Sequence, residues 1–282
     1  MMTILVTGAD GQLGHYLRRA SAGATDRYLF ASRQELDITD REAVRSYLAH
    51  HAVDVVVNAA AYTDVERAEE EEHEAYRINA EAVGYLAEAV RERDALLIHL
   101  STDYVFMGGC CAVLTEQSNP QPINAYGRSK LAGEELIRRS GCHHLIIRTA
   151  WLYGAYGRNF LRTMLRLSEE RESLRVVSDQ IGSPTYAGDL AEAIVALVEE
   201  RRFVEGLYHY TNLGACSWWE FATEICRLAG RTTQVEPCTT EEYPTRARRP
   251  RNTVLDKTKF QVTFRCAIPH WKVSLKRCMN EL

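Results

Sequence analysis

The chain has 282 residues, 46% of them hydrophobic, with mixed charges and a formal net charge of −4. That is enough for one large core or for a main domain with a smaller lobe. The slight acidity gives no reason to expect nucleic acid or an anionic membrane as a partner, and no apolar run reaches the ~18 residues of a membrane span.

In chain order, Met1-Met2-Thr3 leads straight into the β-branched run Thr3-Ile4-Leu5-Val6-Thr7, with no basic region or cleavage site ahead of it. Gly8-Ala9-Asp10-Gly11-Gln12-Leu13-Gly14 follows, then helix-like sequence through Ala20. Strand, glycine turn and helix in that order let backbone N–H groups and a helix N-terminus approach a pyrophosphate. The spacing G-x-x-G-x-x-G differs from the G-x-G-x-x-G of simple dehydrogenases. Tyr28 to Ser32 reads as the second strand. It ends in Ser32-Arg33, where an NAD-selective site often has a carboxylate, and an arginine there can pair with a ribose phosphate. Leu36-Asp37-Ile38-Thr39-Asp40 turns into a helix capped by Thr39 or Asp40.

Val53 to Asn58 has a buried-strand pattern, and Ala59-Ala60-Ala61 is small enough for backbone to pass close to a ligand. Glu66 to Arg93 is mostly helical in composition, with the Glu69-Glu70-Glu71-Glu72 run expected to form a solvated face or a helix start. Leu96 to Ser101 is the fourth strand, with Thr102 and Asp103 at its C-terminal end, where open α/β sheets bind ligands. Met107 to Pro122 has loop chemistry, and His144 to Thr149 is a fifth strand. Strands alternating with helices over residues 3–149 imply a doubly wound, Rossmann-type parallel sheet of the α/β class. Residues 1–150 are therefore expected to be a dinucleotide-binding domain. Residues 151–282 are expected to be mainly a smaller mixed α/β substrate-binding lobe, with some segments returning to the sheet. In it, Asn159 to Arg171, Asp189 to Glu200 and Ser217 to Ala229 read as helices, Gly206 to Thr211 as a strand, and Gly182-Ser183-Pro184-Thr185 as a turn. Tyr243 to Arg251, rich in Pro and Arg, cannot be a regular helix.

The catalytic candidates are Tyr126 and Lys130, four residues apart. If Asn124 to Ser140 is helical, both project from one face. A phenol ordinarily loses its proton near pH 10, and an ammonium nearby favours the phenolate. Such a pair suits a group that gives a proton to a carbonyl oxygen as hydride reaches the carbon. The eight cysteines are scattered without a C-x-x-C pair, and adjacent Cys110-Cys111 have poor geometry for a mutual disulfide. Reduced thiols in a cytoplasmic protein are expected.

The glycine turn, Ser101-Thr102-Asp103 and Tyr126-x-x-x-Lys130 together resemble the extended short-chain dehydrogenase/reductase superfamily. Within it, the dTDP-4-dehydrorhamnose reductase family is resembled by finer matches along almost the whole chain. These include Asp37-Ile38-Thr39-Asp40, Asn58-Ala59-Ala60-Ala61-Tyr62-Thr63, Ser101 to Phe106, Arg148 to Gly154, Asp179 to Thr185, and Arg248-Arg249-Pro250 with Asn252.

The resemblance implies reduction of the 4-keto group of dTDP-4-dehydro-L-rhamnose to give dTDP-L-rhamnose. The Ser32-Arg33 end of the second strand favours NADPH with NADH also accepted, and hydride transfer to a ketone with a Tyr acid requires no metal. The resemblance also implies cofactor contacts from Gly8, Gly11, Gln12, Leu13 and Gly14, from Ser32, Arg33, Asp37 and Ile38, from Ala60, Ala61 and Thr63, and from Tyr126 and Lys130. Tyr126 would be the proton donor, Lys130 would hold the nicotinamide ribose, and Thr102 and Asp103 would contact the sugar. Trp151, Gln180 and either Arg248 or Arg249 would complete the substrate site. Where some relatives hold magnesium through a glutamate, this chain has His15, so no such metal site is expected, and a monomer or weak homodimer is. Two alternatives stay open from sequence: another 4-keto nucleotide sugar as substrate, or a non-catalytic subunit resembling the regulatory β subunit of methionine adenosyltransferase.

Overall fold

The computed structural model describes residues 1–109 and 112–282, so the adjacent pair Cys110-Cys111 lies outside the described residues. Its centre is a six-stranded parallel sheet. In chain order the strands are β1 (Thr3–Thr7), β2 (Arg27–Ala31), β3 (Val55–Asn58), β4 (Leu96–Thr102), β5 (His143–Thr149) and β6 (Gly206–His209). Across the sheet the order is β6-β5-β4-β3-β1-β2.

Because successive strand residues point to opposite faces, each strand feeds two cores. Ile4, Val6, Val55, Val57, Ile98, Leu145 and Ile147 enter one core, which also holds Leu13 and Leu17 of helix Gln12–Ala20 and Leu190 and Ile194 of helix Ala187–Glu199. Leu5, Val56, Leu97 and Ile146 enter the other, with Val44, Leu48, Val83, Leu86, Val90 and Ile137 from the helices opposite. Burying each such side chain contributes about 1.5–3 kcal/mol. Near-continuous apolar runs are what a parallel sheet covered on both faces requires.

Three departures from the sequence reading bear on the site. The stretch from Glu66 to Arg93 is broken into helices Val65–Ala68, Glu72–Tyr76 and Ala82–Glu92, joined by a π-helical turn at Arg77–Glu81. Its glutamates are more than a solvated face. Glu69 accepts the Ala125 backbone N–H at 2.6 Å, Glu71 accepts the Tyr62 hydroxyl at 2.7 Å, and Glu72 pairs with Arg128 at 2.9 Å. The stretch Gly182 to Thr185 is more than a turn. Ile181–Gly182 pairs antiparallel with Cys216–Ser217, and Thr185–Tyr186 pairs parallel with Leu152–Tyr153.

The later chain also holds a strand, Gln234–Cys238, parallel to Ser173–Val177, and two closing helices, Thr258–Phe264 and Trp271–Met279, that sequence periodicity did not separate. Gly206–His209 joins the central sheet beside β5. No described helix is long and apolar enough to cross a membrane. The described cysteines are free thiols, and Cys142, Cys216, Cys226, Cys238 and Cys278 are buried.

Candidate active site

One cleft of about 880 Å³ opens over the C-terminal ends of the central strands, roofed by the later chain. Its floor begins at the glycine turn. Gly8 has φ +67°, and a Cβ there would stand 2.7 Å from the Ala60 nitrogen, so only glycine lets the turn lie against Ala59-Ala60. The helix Gln12–Ala20 then starts at Gly11 with no side-chain cap, leaving its first N–H groups free at the cleft. Gly11, Gln12 and Leu13 line the cleft. Gly8, Gly14 and Ala60 shape it from behind, whereas Ala61 and Thr63 line it directly. An uncapped helix N-terminus beside a Cβ-free turn fits a dinucleotide pyrophosphate.

At the end of β2, Ser32 is half-buried and Arg33 exposed. A carboxylate is present there after all, three residues on: Glu35 accepts the Ser32 N–H at 2.8 Å. Asp37 accepts the backbone and hydroxyl protons of Thr39 at 3.0 and 2.8 Å. Burial pushes the Asp37 carboxyl up, but the Thr39 bonds and the nearby Arg33 and Arg77 outweigh it and hold the group below its ordinary value. Ile38 is buried beneath. Ser32, Arg33, Glu35, Asp37 and Ile38 do not line the cleft itself; they lie around the end of β2, which a long cofactor would have to reach.

The reacting end is built by β4 and the helix Ala125–Ser140. The Asn124 side chain caps that helix by accepting the Gly127 N–H at 2.7 Å, and its amide donates to the Arg248 carbonyl at 2.9 Å. Gly127 sits so close to the 3-10 turn Asp103–Val105 after β4 that an added Cβ would be 2.2 Å from the Tyr104 carbonyl oxygen. The helix turns Tyr126 and Lys130 into the cleft beside Thr102 and Asp103.

Burial is the largest influence on the Tyr126 phenol and pushes it up, with the adjoining Thr102 hydroxyl pulling it back. The acidifying effect expected of Lys130 is therefore not the dominant one. The Lys130 ammonium instead donates to the Leu100 carbonyl at 2.7 Å and lies 3.3 Å from His99 Nε2. Burial brings Lys130 down to about 8, opposed by Glu134. Asp103 is buried, and among the described residues its Oδ2 has no hydrogen-bond partner. Burial raises it to about 6 against the Thr253 and Thr102 hydroxyls.

Behind these groups, Glu134 accepts from Ser101 at 2.6 Å and from both Nε and Nη2 of Arg148, at 2.8 and 2.6 Å. Both members of this ion pair are buried.

The far wall carries Trp151, Gln180 and Arg249. Trp151 has φ +47°, uncommon for so bulky a residue. Its indole stacks on Trp218 at 3.5 Å, over Gly182. Gln180 donates to the Thr240 hydroxyl at 3.1 Å.

Of the two arginines expected at the substrate site, one lies at the cleft. Arg248 is exposed and does not line the cleft. Arg249 does, but it also pairs with Glu66 at 2.6 Å, while Arg246 pairs with Glu70 and Arg251 with Glu241. The cleft has other cations that sequence reading missed, Arg158 and Arg175, and also Tyr243 and Trp218. Only Trp218 had a local signal: it follows Ser217, whose capping box with Glu220 fixes the helix start. His15 is exposed and stacks on Tyr156 at 4.8 Å. Among the described residues, no cluster of three or more His, Cys, Asp or Glu could hold a metal.

A family model described as "RmlD substrate binding domain" matches residues 2–282. The dTDP-4-dehydrorhamnose reductase of Aggregatibacter actinomycetemcomitans is 40% identical over 288 residues, covering 98% of each chain. A dTDP-4-keto-6-deoxy-D-glucose reductase of Streptomyces niveus is 41% identical over 276 residues, covering 96% of this chain and 94% of that one. The crystal structure of the Bacillus anthracis dTDP-4-dehydrorhamnose reductase in complex with NADP superposes with a TM-score of 0.96 at 38% identity, covering 100% of both chains.

Proposed function

The chain belongs to the RmlD substrate binding domain family, and from that premise we propose that it reduces the 4-keto group of dTDP-4-dehydro-L-rhamnose with NADPH, giving dTDP-L-rhamnose. The observation that carries this reading is the meeting, in one cleft, of Tyr126, Lys130, Thr102 and Asp103 with an uncapped helix N-terminus. Gly11, Gln12 and Leu13 would hold the cofactor's pyrophosphate, Ser32, Arg33, Asp37 and Ile38 its adenosine end, and Ala61 and Thr63 its middle. When bound, the cofactor supplies the hydride.

The remaining chemistry belongs to this chain. The phenol of Tyr126 is protonated at neutral pH because burial disfavours the phenolate, so it can donate to a carbonyl oxygen as that oxygen gains charge. The Thr102 hydroxyl would share that oxygen. Lys130 places a positive charge beneath the same point. Trp151 and Trp218 would exclude water from the sugar, and Gln180 would bond to it. Arg249, with Arg158 and Arg175, would take the diphosphate, whose binding energy helps orient the remote reacting carbon. NADH is expected to serve as a weaker donor. Residues 1–150 would hold the cofactor and 151–282 mainly the sugar nucleotide, in a cytoplasmic monomer or weak homodimer.

The Streptomyces relative favours a second reading, in which the substrate is a different 4-keto sugar nucleotide. Loss of NADPH absorbance, measured side by side with dTDP-4-dehydro-L-rhamnose and dTDP-4-keto-6-deoxy-D-glucose, decides between them. Faster turnover of the first supports the proposal, and faster turnover of the second replaces it. Turnover of neither returns the chain to the non-catalytic alternative.

A further inference from the structure

The deepest polar groups beneath the cleft form a chain that runs away from Lys130, across three strands. His99, on β4, is fully buried, with Nε2 3.3 Å from Lys130 Nζ and Nδ1 3.1 Å from the Asn58 side-chain amide. Asn58, at the end of β3, is in turn 2.7 Å from the Thr7 hydroxyl at the end of β1. Of this chain, Lys130 alone lines the cleft.

The donor count fixes the direction of the chain. An ammonium has only protons to offer, and a neutral imidazole has one N–H and one acceptor nitrogen. His99 is neutral, because burial first and the Lys130 charge second hold it well below its ordinary value. With Lys130 charged, Nε2 must be the acceptor and Nδ1 must carry the proton. That N–H then requires the Asn58 amide oxygen, so the amide, placed with its NH₂ toward Nδ1 and its oxygen accepting from the Thr7 hydroxyl, is turned over, and its NH₂ donates to Thr7 Oγ1. The oxygen and nitrogen of an amide are assigned by such consistency.

We propose that His99, oriented by Asn58, is the positioning residue of Lys130: its Nε2 takes one ammonium proton, the Leu100 carbonyl takes a second, and the third points to the cleft. The charged groups facing Lys130 are Glu134 on its own helix and Asp103 with the phenol of Tyr126 on the cleft side. Glu134 is shared among Ser101, Arg148 and Arg138, and no carboxylate is hydrogen-bonded to Nζ among the described residues. The imidazole is thus the side chain that holds the amine. A charged acceptor there would fix Lys130 more firmly but would also neutralise its field at the reacting oxygen. A neutral one holds it and leaves the charge available.

This inference rests on the reductase reading, and the test separates the two. His99→Gln carries an amide oxygen to the Nε2 position, His99→Asn reaches only the Nδ1 position, and His99→Leu fills the space with no acceptor. Melting temperature, NADPH affinity and the pH profile of kcat are measured for each beside wild type. In the Asn and Leu variants, loss of the acceptor disfavours the ammonium. The alkaline limb of kcat should therefore move down by about one pH unit, about 1.4 kcal/mol, while the KM for the sugar nucleotide stays at its wild-type value. The Gln variant should keep the wild-type limb. Should the Leu variant not fold, the contrast of Gln with Asn decides. An unmoved limb in the Asn variant, or a Gln variant shifted as far as Asn, overturns the role of His99 while wild-type turnover stands. An inactive wild type overturns the reductase reading instead.

Discussion

Replacing Glu134 by Gln tests the frame that carries the catalytic helix. Glu134 is buried and accepts from Ser101, Arg138 and two nitrogens of Arg148, and Arg148 is itself 1% exposed. Gln keeps the shape and one acceptor oxygen but removes the charge, leaving a buried guanidinium without its counter-ion. Removing one partner of a buried pair costs about 3–5 kcal/mol, and the retained oxygen places this case near ~3 kcal/mol. For a chain of this size that corresponds to a melting temperature lower by roughly 6–12 °C.

The pH dependence has a fixed sign. Burial pushes the Glu134 carboxyl up, but the hydrogen bonds and charge of Arg148, then Ser101 and Arg138, outweigh it and hold the group below its ordinary value. Its contribution is therefore complete above the unfolded carboxyl value, about pH 4.3, and is lost as pH falls through the folded value. Differential scanning calorimetry of wild type and variant should show the full gap at neutral pH and a closing gap in acid. A variant melting with wild type at neutral pH would refute the assignment of this pair as a stabilising element.

Asp103→Asn should act in the opposite sense. Burial raises the carboxyl from 3.8 to about 6, so its charged form opposes folding as pH rises through that window. The variant should be more stable than wild type at neutral pH by about 3 kcal/mol, match it in acid, and lose kcat/KM for the sugar nucleotide; equal melting at neutral pH would contradict this. Arg33→Ala should lower kcat/KM with NADPH more than with NADH, and an unchanged ratio would make Arg33 a solvated side chain. Arg249→Ala and Arg175→Ala should each weaken dTDP binding to the NADPH complex by roughly 1.5–3 kcal/mol, read by calorimetry, with Arg248→Ala near wild type. Undiminished binding in both would move the diphosphate elsewhere.

The first half of the fold was legible because its strands are continuous apolar runs that fill two cores, and helices with side-chain caps at Asp40, Asp64 and Asn124 follow β2, β3 and β4. The strand ends at Thr7, Asn58 and Thr102 could be read for the same reason. The later chain was harder. Ile181–Gly182 and Thr185–Tyr186 are two-residue strands whose partners lie far away in sequence, so they carry no period of their own. Charge was legible only in part. Arg249, one of the two arginines named from sequence, lines the cleft, but Glu66, Glu70 and Glu241 pair with Arg249, Arg246 and Arg251, and no local pattern announces such distant partners. Arg158 and Arg175 carry no motif, and only the folding of the later chain over the sheet brings them to the cleft. His99 sat unremarked in an apolar strand, because its importance comes from Lys130 thirty-one residues later.

The central claim, that Tyr126 gives a proton to a sugar ketone, is tested most directly by Tyr126→Phe, which keeps the ring and removes the proton. With dTDP-4-dehydro-L-rhamnose and NADPH, wild type should turn over and the variant should be slower in kcat by about 10²–10⁴, with NADPH affinity unchanged. A variant that retains half or more of the wild-type kcat would remove Tyr126 from the chemistry and contradict the account.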